Sequence, residues 1–244
     1  MMYHALDAVA QARRPTSPER MTPPVAGRAS PQTFDYAWRL MSDGCGDGPL
    51  EAARYTGLDD DEAHAAIRQH YETFFDREGE ELTWPHGPAR ARLGPFRVLR
   101  VPPNDQTELW TYASVGAFAL GLGGIPPIEF VLLTAARTDR AVELVTMVAD
   151  YHHSRSIDLG HRVPIGEPWL DGATCDGFLV ALPYPFGPTI ETVSIGDRLV
   201  RISWLLPITA AERRFAAQHG LEALEQKLDD APIEYWRPDR PSVV

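Results

Sequence analysis

Lysine is almost missing from this chain. Lys227 is the only one, against 22 arginines, and 34 acids leave a net charge of −11 over 244 residues. A protein that holds nucleic acid by neutralising phosphates needs a basic patch. Here the arginines are scattered and outnumbered, so that class is excluded. Cysteine is nearly as scarce. Cys45 and Cys175 lie far apart, which supplies neither a disulfide framework nor the clustered spacing of a zinc site. They read as two reduced thiols in a cytoplasmic protein. A long apolar run is missing too. The quietest stretch, 113–133, is broken by Gly116, Gly121, Gly123, Gly124, Pro126, Pro127 and Glu129, whereas a spanning helix needs about 20 consecutive apolar residues. It reads as a strand, a Gly/Pro loop and a second strand. The first dozen residues lack an apolar h-region and carry His4 and Asp7, so no secretory signal is read there.

What is present is ordinary for a globular chain: 44% apolar and 23% charged residues, long enough to bury a core without covalent staples. Residues 1–33 hold Pro15, Pro18, Pro23, Pro24 and Pro31 and are expected to form a flexible segment, with Met21 as a second candidate start. Residues 34–58, with Phe34, Tyr36, Trp38 and Leu40 before a turn-rich stretch, are expected to pack on the body as an extension. The body is 59–244.

Asp59 and Asp60 suit a helix N-terminus. Ala63, Ile67, Tyr71, Phe74 and Phe75 then recur at helical spacing, with Gly79 as punctuation. Strands are predicted at 96–101, 109–115, 128–134 and 178–182. Thr138 or Asp139 opens a helix whose stripe is Ala141, Val142, Val145, Val148 and Ala149. A hairpin is predicted at 192–195 and 198–206 around Gly196-Asp197, with glycine first as a type II′ turn requires. Val200, Ile202 and Trp204 share one face of its second strand. Thr209 and Glu212 form a capping box, and Leu221, Leu224 and Leu228 mark a last helix after Gly220. This order predicts an α+β fold: a mixed, largely antiparallel sheet with helices packed on it, in a single domain.

Candidate chemistry is thin. Tyr151-His152-His153 and His161 form the densest histidine run. Adjacent histidines on a helix point about 100° apart, so they make poor co-ligands and read as helix-end and loop residues. Cys175 could supply a thiolate beside a histidine base, but Asp176 next to it works against activation. No P-loop, G-x-G-x-x-G or G-x-S-x-G motif occurs. The nearest approach, Gly121-Leu122-Gly123-Gly124, runs into prolines instead of a helix N-terminus. No catalytic, cofactor-binding or metal residue is therefore assigned. A hydrolase using Cys175 or the His152–His161 run stays a minor alternative.

Two features carry more. Residues 59–81 hold nine acids against Arg68 and Arg77. They read either as a solvated helix face or as a docking surface for a basic protein. Residues 1–58 carry six acids and six bases, so the whole surplus lies from residue 59 onward. Leu182-Pro183-Tyr184-Pro185-Phe186-Gly187-Pro188 is the second feature. Its prolines limit the entropy lost on ordering. Tyr184 and Phe186 either cap the core or form a rigid contact platform. Candidate protein-contact residues are thus Glu72, Asp76, Glu78, Glu80, Glu81, Tyr184 and Phe186.

The C-terminal third carries a recognisable pattern: Gly160-His161-Arg162-Val163, Ile165-Gly166-Glu167-Pro168-Trp169-Leu170, Cys175-Asp176-Gly177-Phe178-Leu179 and the 182–188 loop. It continues through Ile195-Gly196-Asp197, Trp204-Leu205-Leu206-Pro207-Ile208-Thr209, 219–225 and Asp239-Arg240-Pro241-Ser242-Val243-Val244, and upstream Leu109–Gly116 fits a W-x-Y-x-S-x-G strand. Together these resemble the suppressor of fused domain family of the bacterial type, over about 65–244. The resemblance implies a mixed α+β protein-binding domain without known catalysis. Its animal members sequester a signalling partner, and its bacterial members look like immunity proteins that neutralise a toxin. The implied partner is another protein, basic in character, with no nucleic acid, membrane or cofactor, and the chain itself is expected to be a monomer or weak homodimer. A regulatory or structural adaptor is the alternative.

Overall fold

The computed structural model describes residues 60–244 apart from Pro88, Gln106, 122–124, Glu167 and Asp171. The expected segments at 1–33 and 34–58, with Met21, Cys45 and Asp59, lie outside the described residues.

Helix α1 (Asp60–Phe75) forms where the apolar spacing predicts it. Ala63, Ile67, Tyr71 and Phe75 are each at most 1% exposed. The helix stops at Asp76, whose φ is +49°, and Gly79 follows it closely, as expected. Gly79 also serves the packing: a Cβ there would sit 2.6 Å from the Leu99 side chain. The following strand β1 (Glu80–Leu82) and short helix α2 (Ala89–Arg92) were not predicted, because three or four residues hold no measurable period.

Strands β2 (Arg97–Val101), β3 (Trp110–Val115) and β4 (Ile128–Thr134) follow the expected segments. Helix α3 (Asp139–Arg155) is capped by Thr138, whose hydroxyl accepts the Arg140 N–H. After β5 (Arg162–Pro164) and β6 (Gly177–Ala181), the hairpin of β7 (Thr192–Ile195) and β8 (Arg198–Ile208) forms as predicted. Gly196 carries the positive φ, +59°, and Asp197 does not, as in a type II′ turn. Strand β8 runs two residues further than expected, through Pro207. Pro207 lies beyond the stretch paired to β4, where its missing N–H breaks no ladder bond on that side. Helix α4 (Ala210–His219) begins with the reciprocal capping box of Thr209 and Glu212, and α5 (Leu221–Asp230) follows Gly220.

The strands form one eight-stranded sheet in the order β1-β2-β3-β4-β8-β6-β5, with β7 pairing β8. All neighbours are antiparallel except β4 and β8. Alternation along each strand divides the core into two clusters. One buries α1, Ala216 of α4, Leu224 and Leu228 of α5, and Tyr235 against residues such as Leu99, Ile202 and Trp204. The other buries the α3 stripe, Trp169 and Cys175 against Tyr112, Phe130 and Leu205. The fold is a mixed, mostly antiparallel sheet with helices on both faces, in a single domain, as the sequence led us to expect.

Candidate protein interface

The acidic stretch resolves into two groups on opposite faces of β1. Successive strand residues point to opposite sides. Glu81, opposite Leu99, turns to the α1 face, while Glu80, opposite Arg100, turns to the α3 face. On the α1 face Arg68 gathers three carboxylates: Glu72 at 3.0 Å, Glu81 at 3.3 Å and Glu78 at 3.9 Å. Glu72 also accepts the Gly79 N–H at 3.0 Å. Asp76 is exposed at the helix end. On the α3 face Glu80 lies 2.6 Å from Arg100 and 3.3 Å from Arg137. The hydrogen bond from Arg100 holds the Glu80 carboxyl below the usual carboxylate range. Arg100, with only 3% of its side chain exposed, also reaches Asp139 at 2.9 Å. The stretch that reads as one acidic face is thus two ion-pair networks, and Glu80 stands apart from Glu72, Glu78 and Glu81.

The 182–188 loop folds as a one-turn helix over Tyr184–Phe186. Both aromatics are half-buried and pack on the first cluster. Phe186 meets Phe74 and Phe75 edge-on, with ring centroids 5.8 and 5.2 Å apart. The loop therefore sits against the C-terminal turn of α1, next to Asp76. The structure brings Phe186 to the acidic end of α1, with its ring spent largely on packing.

The remaining candidates are occupied by structure. Cys175 is fully buried, and burial pushes its thiol up to about 11, so a thiolate is disfavoured. His152 is 1% exposed. Its Nδ1 accepts the Ile157 N–H at 3.0 Å, and its ring stands edge-on to Phe130. His153 Nδ1 faces the Leu120 carbonyl and His161 Nδ1 the Asp158 backbone. These ring nitrogens serve local contacts and do not converge. Among the described residues no group of three or more His, Cys, Asp or Glu could hold a metal ion, and no helix is long and apolar enough to cross a membrane.

Burial lowers His152 to about 4. Its imidazole must therefore be neutral in the fold. The stability it contributes is complete above the unfolded value near 6.5 and is lost as pH falls toward 4. That loss is expected to reach roughly 3 kcal/mol. Urea unfolding at successive pH values checks it: His152→Gln should flatten the slope between pH 6.5 and 4, and an unchanged slope would assign the acid sensitivity elsewhere.

Two features escape sequence reasoning. One is the pair Glu212–Arg240, which ties the chain's last residues to α4. The other is a cleft of about 640 Å3 between the β4–α3 turn, Trp169–Leu170 and the tail. Trp169 and Trp236 line the same cleft from 67 positions apart, a distance at which no local pattern operates.

Residues 93–241 match the family model of the suppressor of fused protein (SUFU). No match emerges among curated proteins. Among solved structures the chain is similar to a SUFU homologue from Neisseria gonorrhoeae FA 1090, with TM-score 0.64 and 34% identity over 75% of this chain and 97% of that one. It is also similar to the Sufu–Fu complex, with TM-score 0.57 and 13% identity over 74% of this chain and 92% of that one. Drosophila Suppressor of Fused gives TM-score 0.56 and 14% identity over 74% of this chain and 51% of that one. At those identities the last two show a shared fold.

Proposed function

Since the chain belongs to the suppressor of fused family, a protein-binding regulatory family, we propose that it is a non-enzymatic binding domain of the immunity type, which neutralises a basic toxin by covering its working surface. Membership of the family carries this reading. The bacterial SUFU homologue, 34% identical, is matched over 97% of its own chain. The net charge of −11 adds to it. A field of that sign speeds encounter with a cationic protein and repels nucleic acid. Protein contact is assigned to the end of α1 and the adjoining loop: Glu72, Asp76, Glu78, Glu81, Tyr184 and Phe186, with Glu80 on the neighbouring face. Glu78, whose side chain is 89% exposed, keeps most of its charge available. The compartment proposed is the cytoplasm, where such a partner would be met.

A second reading, a regulatory adaptor, is favoured by one observation. A structure sharing this fold is a complex of Sufu with Fu. Co-expression with the products of the adjacent open reading frames separates the two. The immunity reading expects one of them to co-purify with this chain and to kill cells only when this chain is absent. A partner that binds and never kills supports the adaptor. A neighbour that stays free, or kills equally in both cases, overturns the immunity reading.

A further inference from the structure

We propose that the cleft beside the C-terminal tail is a docking site that seats an apolar side chain of a cationic polypeptide segment. This rests on the protein-binding reading and adds a second contact surface, built from the β4–α3 turn and the tail. The cleft is open to solvent and has a volume of about 640 Å3, comparable in size to sites that take compact ligands. Its apolar lining comes from the partly exposed Leu170, Trp236 and Pro238, over a floor of the buried Trp169 and Ala173. Among its described lining residues there is no histidine or cysteine, and both of its carboxylates, Glu234 and Asp239, are paired with Arg237.

The walls are tied in place. Thr134 Oγ1 donates to the Ala136 carbonyl at 2.8 Å, and Ala173 N–H to the Leu170 carbonyl at 2.9 Å. Arg140 Nε donates to the Trp169 carbonyl at 3.1 Å. The Pro238 carbonyl accepts the N–H groups of both Thr174 and Cys175 at 2.9 Å. A pre-shaped cleft loses little entropy when it is filled, so apolar contact there converts more fully into affinity.

The rim selects the sign of the partner. Arg237 is forked by Asp239, at 2.9 and 2.7 Å, and reaches Glu234 at 3.2 Å. Its charge is already met by two carboxylates, each about half exposed. The lining thus offers an anion no unspent cation and keeps one net negative charge. An extended segment with an apolar residue flanked by lysine or arginine would place the apolar chain against Leu170, Trp236 and Pro238 and a cation over Glu234 or Asp239.

The test uses the full chain, with the indole N–H signals of its tryptophans read by NMR. The probe is a heptapeptide of alternating lysine and leucine. Glutamate–leucine and lysine–serine heptapeptides serve as controls. The expected result is a saturable shift of the Trp236 indole with the lysine–leucine peptide, and binding about tenfold weaker or worse for both controls. Ala136→Arg, at an exposed position of the β4–α3 turn, should fill the cleft and weaken binding about tenfold. Asp197→Lys, exposed in the β7–β8 turn at the other end of β8 from Pro207, should leave the Trp236 response within about twofold, as expected for a remote charge. No binding, equal binding of the glutamate–leucine peptide, or binding untouched by Ala136→Arg would overturn the docking site. Those outcomes leave the co-purification expected of a protein-binding domain to stand or fall on its own.

Discussion

Arg240→Ala is expected to lower the unfolding free energy by about 3–5 kcal/mol, the usual cost of removing one partner of a buried ion pair. The Glu212 and Arg240 side chains are 0% and 2% exposed. They meet through two parallel bonds, Arg240 Nη1 to Glu212 Oε1 at 2.6 Å and Nη2 to Oε2 at 2.9 Å. The same guanidinium donates to the Pro207 carbonyl at 2.8 Å. Glu212 meanwhile accepts the N–H groups of Thr209, at 2.8 Å, and Val243, at 3.0 Å. It therefore closes the cap of α4 and holds the chain's end at once. Alanine at 240 would leave the Glu212 side chain buried with hydrogen bonds but no cation. For a domain this size the melting temperature should fall by roughly 10 °C. Thermal and urea unfolding followed by circular dichroism would measure it, with Trp236 fluorescence reporting release of the tail. Glu212→Met with Arg240→Met should cost clearly less than Arg240→Ala, because no charge is left stranded. A loss below about 1 kcal/mol, the scale of an exposed pair, would show that water reaches Glu212.

Glu129→Gln is expected to remove a large pH dependence. Glu129 is fully buried in β4. Its Oε1 accepts the N–H groups of Gly116 at 2.9 Å and Phe118 at 3.0 Å, and the Ser114 hydroxyl donates to Oε2. Burial pushes this carboxyl up to about 8 against the pull of those donors. Burial also raises the Tyr71 phenol well above its ordinary value, with the Glu129 charge adding to it. The folded state thus binds the Glu129 proton more tightly than the unfolded chain does. The stability it contributes is complete below about 4.5 and is lost as pH rises through 8. Over that window the loss is about 5 kcal/mol. Glutamine keeps an acceptor for the two N–H groups and cannot ionise, so it should gain about 4 kcal/mol on the native chain between about pH 5 and pH 9. A constant difference across this range would mean that Glu129 is ionised throughout. His152 works in the other direction, losing stability below 6.5. The two slopes oppose one another between about 4.5 and 6.5.

Much of the architecture was legible because it rests on neighbours in the chain. The stripe from Ala63 to Phe75, the hydroxyl of Thr138, the Thr209–Glu212 box and the Gly196-Asp197 turn each specify backbone geometry within four residues or so. The alternation of Val200, Ile202 and Trp204 likewise announced which face of β8 is core. Short strands escaped for the reason β1 shows. Glu80-Glu81-Leu82 has no apolar alternation and becomes a strand only because Arg97–Val101 lies beside it. Read from composition alone, Glu80 and Glu81 belong to one acidic face. Pairing with β2 sends them to opposite sides of the sheet, where Arg100 and Arg68 divide them.

The sequence by itself determined the class of fold, most helices and long strands, the two capping devices and the family pattern, since period, caps and motifs are properties of residues close along the chain. Tertiary structure alone decided the parallel contact of β4 with β8, the meeting of Phe186 with α1, the burial of Glu129 and of Glu212 with Arg240, and the cleft that joins Trp169 to Trp236. Each depends on segments tens of residues apart being packed together, and the free energy that selects among such arrangements comes from burial and hydrogen-bond satisfaction over the whole domain.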